Sequence, residues 1–250
     1  MAGRARLRRR RQRWRGAEQC GGRRDDGGFG NGTQGGCNAF AAANGLASGE
    51  VNDAFWQKLT GGMGASFSFR STKPNVGDAI VETAQVHLDQ KPLEARRLIG
   101  GQLIGKDNSG PWVRAYCLGL SAEWCQGAAS QWVRQAFAVL GRQPPIALDE
   151  PQQPLPLFVP SVVTAARNAG RFVAGGSGTE VPPGSFFFVK GMLNGNPSHI
   201  HVGVTASPVR ANGTFDSIEG NTNTNGTSAG VEVCKRTTRT RASCDFGILA

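Results

Sequence analysis

The chain has 250 residues, room for one large domain or two small ones, and 39% of them are apolar, enough for a packed core. Thirty-six Gly, with frequent Asn, Ser and Thr, argue for many turns and strands and against a helical bundle, and no apolar run approaches the length of a membrane helix. The net charge of +10 belongs to one end: residues 1–24 hold ten Arg and one Glu, which leaves residues 25–250 at +1.

That basic arm suits nucleic acid, an anionic membrane or an anionic wall polymer, or is simply solvated. It lacks the apolar stretch of a secretory signal, so no signal peptide is expected. The six cysteines form no repeated CxxC pattern, and two of the three His lie two apart in one segment, which argues against a zinc site. Cys234 and Cys244 would close a short loop in an oxidising compartment, a bond the sequence leaves open.

Residues 25–60 predict a small helical module. A Gly-rich turn at Asp26, Gly27, Phe29 and Gly30 leads into helical spacing of Cys37, Phe40 and Ala41. Asn44-Gly45 ends that helix, because both residues tolerate positive φ. Phe55, Trp56 and Leu59 make a second short apolar face. Together with Thr33 and Leu46 these residues resemble the three-helix peptidoglycan-binding domain carried by many cell-wall hydrolases. Phe55 before Trp56 and Ala41 after Phe40 depart from that pattern, and its first helix would fall in the Arg-rich stretch. Residues 61–75 are expected to be a linker with a loose β-like stretch.

From Val76 to the end, residues 76–250 predict one larger domain. Asp78 precedes Ile80, Val81, Ala84 and Leu88, an amphipathic helix with an acidic start. Lys106–Gly110 is a turn, and Pro111 opens a short helix through Leu120. Cys125, Ala128, Ala129, Trp132, Val133, Ala136, Phe137 and Leu140 then recur at offsets 0, 3, 4, 7, 8, 11, 12 and 15, one buried stripe that ends at Gly141. Ser161 caps a helix through Asn168. Val181-Pro182-Pro183-Gly184 turns into a strand at Ser185–Val189, and a Gly/Asn/Pro loop runs from Gly191 to Ser198. Ile200, Val202 and Val204 alternate with His201, Gly203 and Thr205, a strand on which His199 and His201 share the polar face. Thr214–Glu219 and Val231–Lys235 make further strands. The expected class is α+β, helices packed on an antiparallel sheet.

Cys125 opens its helix, and position gives it interest. The thiolate is the reactive form of Cys, and both a helix N-terminus and a nearby imidazolium favour it. Taken alone, Cys125 reads first as a small apolar residue at the end of a core stripe, since free Cys is commonly buried. Cys117 shows that plainer case, lying within a helix. His201 is a candidate base, and Glu219 and Asn221, two apart on a later strand, are placed to hold its tautomer.

Residues 76 to about 240 resemble a CHAP domain, a family of amidohydrolases and peptidases with a papain-like core. The resemblance lies in Asn108-x-Gly110 with Val113 and Tyr116, then Glu123-Trp124-Cys125. It continues in Pro183-Gly184 before an aromatic strand, His201-Val202-Gly203, Glu219-Gly220-Asn221-Thr222-Asn223, and Gly230-Val231 with basic residues after it. Ser185 and Gln126 depart from the usual pattern. The resemblance implies Cys125 as nucleophile, His201 as general base, and Glu219 and Asn221 as its polar partners. Trp124, Gln126 and His199 are then candidates to contact substrate. The implied activity is hydrolysis of a peptidoglycan amide, by an amidase or an endopeptidase, in a monomer without metal or cofactor. Such a protein would be a phage lysin, a virion component or a secreted effector acting at the bacterial wall. The alternative is a wall-binding or virion structural protein that keeps the fold without turnover.

Overall fold

The computed structural model describes residues 30–99, 102–148, 157–223 and 230–250. The chain divides into two compact units, residues 1–56 and 57–250. The Arg-rich arm and the turn at Asp26–Phe29 lie outside the described residues.

In the first unit α1 (Asn31–Ala43) stops at Asn44. The Asn44 side chain donates to the Phe40 carbonyl at 2.8 Å, and Gly45 takes φ 67°. Asn52 then accepts from the Phe55 N–H at 3.0 Å, which caps α2 (Asp53–Ser68). Phe55 is buried with its ring 5.0 Å from that of Phe40. The continuation of α2 to Ser68 corrects the expected linker over 61–75, since residues 61–68 are helical. Gly61, Gly62 and Gly64 each cost about 1 kcal/mol there relative to Ala. Tertiary packing offsets this: Ser66 is fully buried, and the Phe67 ring lies 4.9 Å from His87 and 5.5 Å from Tyr116.

The second unit is α+β. Its helices are α3 (Val76–Asp89), α4 (Pro111–Tyr116), α5 (Cys125–Val139) and α6 (Val159–Asn168). A small hairpin pairs β1 (Arg97–Ile99) with β2 (Gln102–Ile104). The main sheet is antiparallel, in the order β3 (Phe172–Val173), β8 (Cys244–Gly247), β4 (Phe186–Leu193), β5 (Asn196–Thr205), β6 (Thr214–Thr222), β7 (Glu232–Thr240). Among the described residues no helix is long and apolar enough to cross a membrane.

The α5 stripe is buried from Cys125 through Phe137, as its 3.6-residue period requires. It packs on one face of the sheet, in one core with Phe186, Phe188, Val202, Val204 and Ile218. The other face carries a smaller core of Val181, Phe187, Phe215, Cys244 and Phe246. Several boundaries differ from the sequence expectation. Helix α4 ends at Tyr116, not Leu120, because Leu118 and Gly119 turn left-handed at φ 54° and 93°. Helix α6 starts at Val159, with Pro160 in its first turn, two residues before Ser161. The expected loop at 191–198 is a tight hairpin, turning on Asn194 and Gly195 at φ 51° and 80°.

His87, on α3, is fully buried and holds the end of α2 in place. Its Nδ1 lies 2.9 Å from the Tyr116 hydroxyl and its Nε2 3.2 Å from Gln135 Oε1. Gln135 in turn donates to the carbonyls of Ser66 and Phe69. Burial lowers the imidazole from 6.5 to about 4, against the raising effect of the Gln135 and Ser66 bonds. A histidine whose folded pKa is depressed refuses a proton that the unfolded chain accepts, so stability falls as pH drops from about 6.5 towards 4. The full loss is about 3 kcal/mol. Urea melts across that range are expected to be steeper in pH for the wild type than for His87→Gln, by up to one proton. Parallel pH dependences would refute the linkage.

Candidate functional site

Two irregularities in the sheet decide which side chains meet. Along β5, His201 pairs with Val189 and His199 with the next residue, Lys190, so Ile200 is an extra residue, a β-bulge. Paired residues share a face. His201 therefore projects with Val189 and Phe187, and His199 projects with Lys190 and Phe188, on the opposite side. This corrects the expectation that the two imidazoles share one face. Along β7, Arg239 pairs with Phe215 and Arg236 with Ser217, three residues against two. That second bulge turns both arginines to the face that carries Phe215, Ser217 and Glu219.

Strands β5 and β6 are joined by only two residue pairs, Val204 with Ile218 and Thr205 with Ser217. Towards His201 they part, and the gap is bridged by side chains: His201 Nε2 lies 2.9 Å from Glu219 Oε2. The start of α5 lies against the parting strand. A Cβ on Gly220 would fall 2.7 Å from the Ala128 Cβ and 3.0 Å from the Trp124 ring, so only Gly allows the helix this close. Cys125 opens α5 there as a neighbour of the His201 ring. His201 Nδ1 is buried and has no formed hydrogen bond among the described residues. The structure thus brings Cys125, His201 and Glu219 together, with one ring nitrogen committed to the carboxylate and the other unengaged.

Glu219 is fully buried and heavily partnered. Arg239 grips it with both prongs, Nε to Oε1 at 2.7 Å and Nη2 to Oε2 at 2.6 Å. The Ser217 hydroxyl donates to Oε1, and Arg236 Nε lies 3.4 Å from Oε2. Burial alone would raise this carboxyl, but Arg239 and His201 hold it down at about 2. Burial alone would lower His201, but its interactions with Cys125 and Glu219 raise it to about 9. The imidazole and the carboxylate are therefore both charged at neutral pH. Burial pushes the thiols of Cys117 and Cys234 up to about 12 and that of Cys244 up to about 11. Cys234 and Cys244 are free thiols, not a disulfide.

Asn221 is buried within β6 at a register shift, with a left-handed φ of 53°, its carbonyl accepting from Gly230 N–H at 3.3 Å, and it makes no hydrogen bond to the His201 ring. Trp124 is fully buried, stacked on Tyr116 at 5.8 Å, with Nε1 donating to Glu94 at 3.4 Å. Gln126 is fully buried and donates to Ser130 at 2.7 Å. His199 lies beyond the bulge, paired with Asp245 at 2.9 Å. None of the three lines an opening at Cys125 in this arrangement. Among the described residues no three His, Cys, Asp or Glu side chains converge as a metal set.

Sequence reasoning missed Arg239, Arg236, Ser217 and Glu94. The Arg-x-x-Arg spacing on β7 was visible, but three apart on a regular strand means opposite faces, and only the bulge overrides that. Glu94 had no local signal. It is buried, which raises its pKa, and accepts from Arg96, the Asn108 N–H and Trp124, tying the segment before Cys125 to the turn at 106–110. No family model matches this chain, and neither curated proteins nor solved structures gave a match.

Proposed function

We propose that the chain is a cysteine-dependent hydrolase of a peptidoglycan amide, with a papain-like catalytic unit of the CHAP type. The observation that carries this reading is the set Cys125, His201 and Glu219 where the pairing of β5 with β6 ends. A positioned nucleophile, a ring nitrogen beside it, and a carboxylate on the far ring nitrogen are the parts that acyl transfer needs. The peptidoglycan substrate rests on the sequence resemblance of both units.

In this reading the Cys125 sulfur attacks the amide carbonyl. The first-turn N–H groups of α5 have no helical partners, and Trp124 supplies no side-chain cap, so they are available to the oxyanion. His201 carries the proton to the leaving amine, which departs as the C–N bond breaks and a thioester remains. It then takes a proton from water, which hydrolyses the thioester and restores the thiol. Glu219 keeps Nε2 bonded and Nδ1 turned to the sulfur throughout. No metal or cofactor enters these steps.

The depth of the site favours a second reading. Cys125 is only 3% exposed and His201 is wholly covered, as suits a wall-binding or virion structural protein that retains the fold without turnover. One experiment separates the two. Purified sacculi and defined muropeptides are incubated with the full chain, and the products are read by mass spectrometry. New amine and carboxyl ends at one amide support the hydrolase and identify the bond. Intact muropeptides, with Cys125 unreactive to a thiol probe at mildly acidic pH, would favour the structural reading.

A further inference from the structure

Resting on the hydrolase reading, we infer that Arg239 is the positioning residue of this site, fixing the plane of Glu219 so that His201 presents Nδ1 to Cys125. The bulge in β7 brings its guanidinium to the face of Glu219, where it spans both carboxylate oxygens at 2.7 and 2.6 Å. A fork bound to two oxygens fixes the orientation of a carboxylate, which a point charge does not. The guanidinium is itself backed by the Phe187 ring, 5.6 Å from its carbon. Oε2, gripped at 2.6 Å by Arg239, is the same oxygen that meets His201 Nε2 at 2.9 Å. Arg236, at 3.4 Å from Oε2, adds charge without a second fork.

The groups facing Glu219 are His201 from β5, Arg236, Arg239 and Cys234 from β7, and Cys244 from β8, with Cys125 beyond the imidazole. Of these, Arg236 and Arg239 bring the guanidinium groups that balance the carboxylate. Losing Arg239 leaves a buried carboxylate with less positive charge beside it, so its pKa rises, by roughly 1–3 units.

The test uses the full chain, with Arg239→Gln, which removes charge and fork, and Arg239→Lys, which keeps only the charge. Proton and nitrogen NMR follow the His201 ring and the Glu219–His201 titration without any substrate. In the wild type the His201 Nε2–H resonance is expected far downfield and protected from exchange. In Arg239→Gln that resonance is lost, the acidic limb moves up by roughly 1–3 pH units, and kcat falls roughly 10- to 100-fold at similar KM. Arg239→Lys recovers the limb in part and the resonance not at all. An unchanged resonance and limb in folded Arg239→Gln, even with a lowered Tm, would overturn the assignment. So would wild-type behaviour of Arg239→Lys, which decides the matter alone if Arg239→Gln does not fold. If the titration moves as described while the wild type cleaves no muropeptide, the positioning role stands and the hydrolase reading fails.

Discussion

Cys125→Ala is expected to abolish cleavage of purified sacculi, while Cys117→Ala keeps it. Loss of a nucleophile that acts with its base as a unit costs about four to six orders of magnitude in kcat. The comparison is controlled by the packing. Both thiols are buried in the same core, and each truncation removes one sulfur from it. The two variants should therefore lose similar stability, about 1 kcal/mol each, by the cost of a small cavity. Their chemistry differs. Cys117 follows the last turn of α4 and its thiol is pushed up to about 12, chiefly by burial. Cys125 begins α5 and acts on His201. Matched melting curves with divergent turnover would assign the reaction to Cys125; equal turnover would remove it from the mechanism.

Glu219→Ala is expected to be the most destabilising single substitution at the site, by about 3–5 kcal/mol, because it leaves buried cations without a counter-charge. Arg239, Arg236 and His201 all meet this one carboxylate. The pH dependence gives the sign. Glu219 is depressed to about 2, so its contribution is complete above its unfolded pKa of about 4.5 and is lost as pH falls towards 2. His201 is raised to about 9, so its contribution is present below about 6.5 and is lost as pH rises through 9. In Glu219→Ala both dependences should shrink, and the His201 titration should move down. Denaturant melts from pH 3 to 9 with NMR of the imidazole measure both. A variant with wild-type stability at pH 7 would show that the carboxylate carries no net load.

What the sequence made legible follows from what is local. The α5 stripe needs only its own period, and it placed Cys125 at a helix start. The Asn44-Gly45 stop needs only two residues that accept positive φ. Where the outcome depends on a partner, the sequence was silent or misleading. Three glycines made residues 61–68 look like a linker, because the rings that hold Phe67 come from α3 and α4. The Asn194-Gly195 hairpin carried its signal in plain view, but the surrounding Gly and Pro suggested an open loop. Even strand β8, which carries Asp245 to His199, drew no expectation, since four residues give too short a pattern. Alternation along β5 put His199 beside His201, and register with β4 separated them.

The extra residue at Ile200 has a consequence for how such a sheet changes over time. Consecutive residues of a regular strand also face opposite ways, so a chain lacking residue 200 would keep Val189 opposite His201 and Lys190 opposite His199, with each imidazole on its present side. The sheet therefore tolerates a change of chain length at this point that would reverse the facing of every later residue in a strand without a bulge.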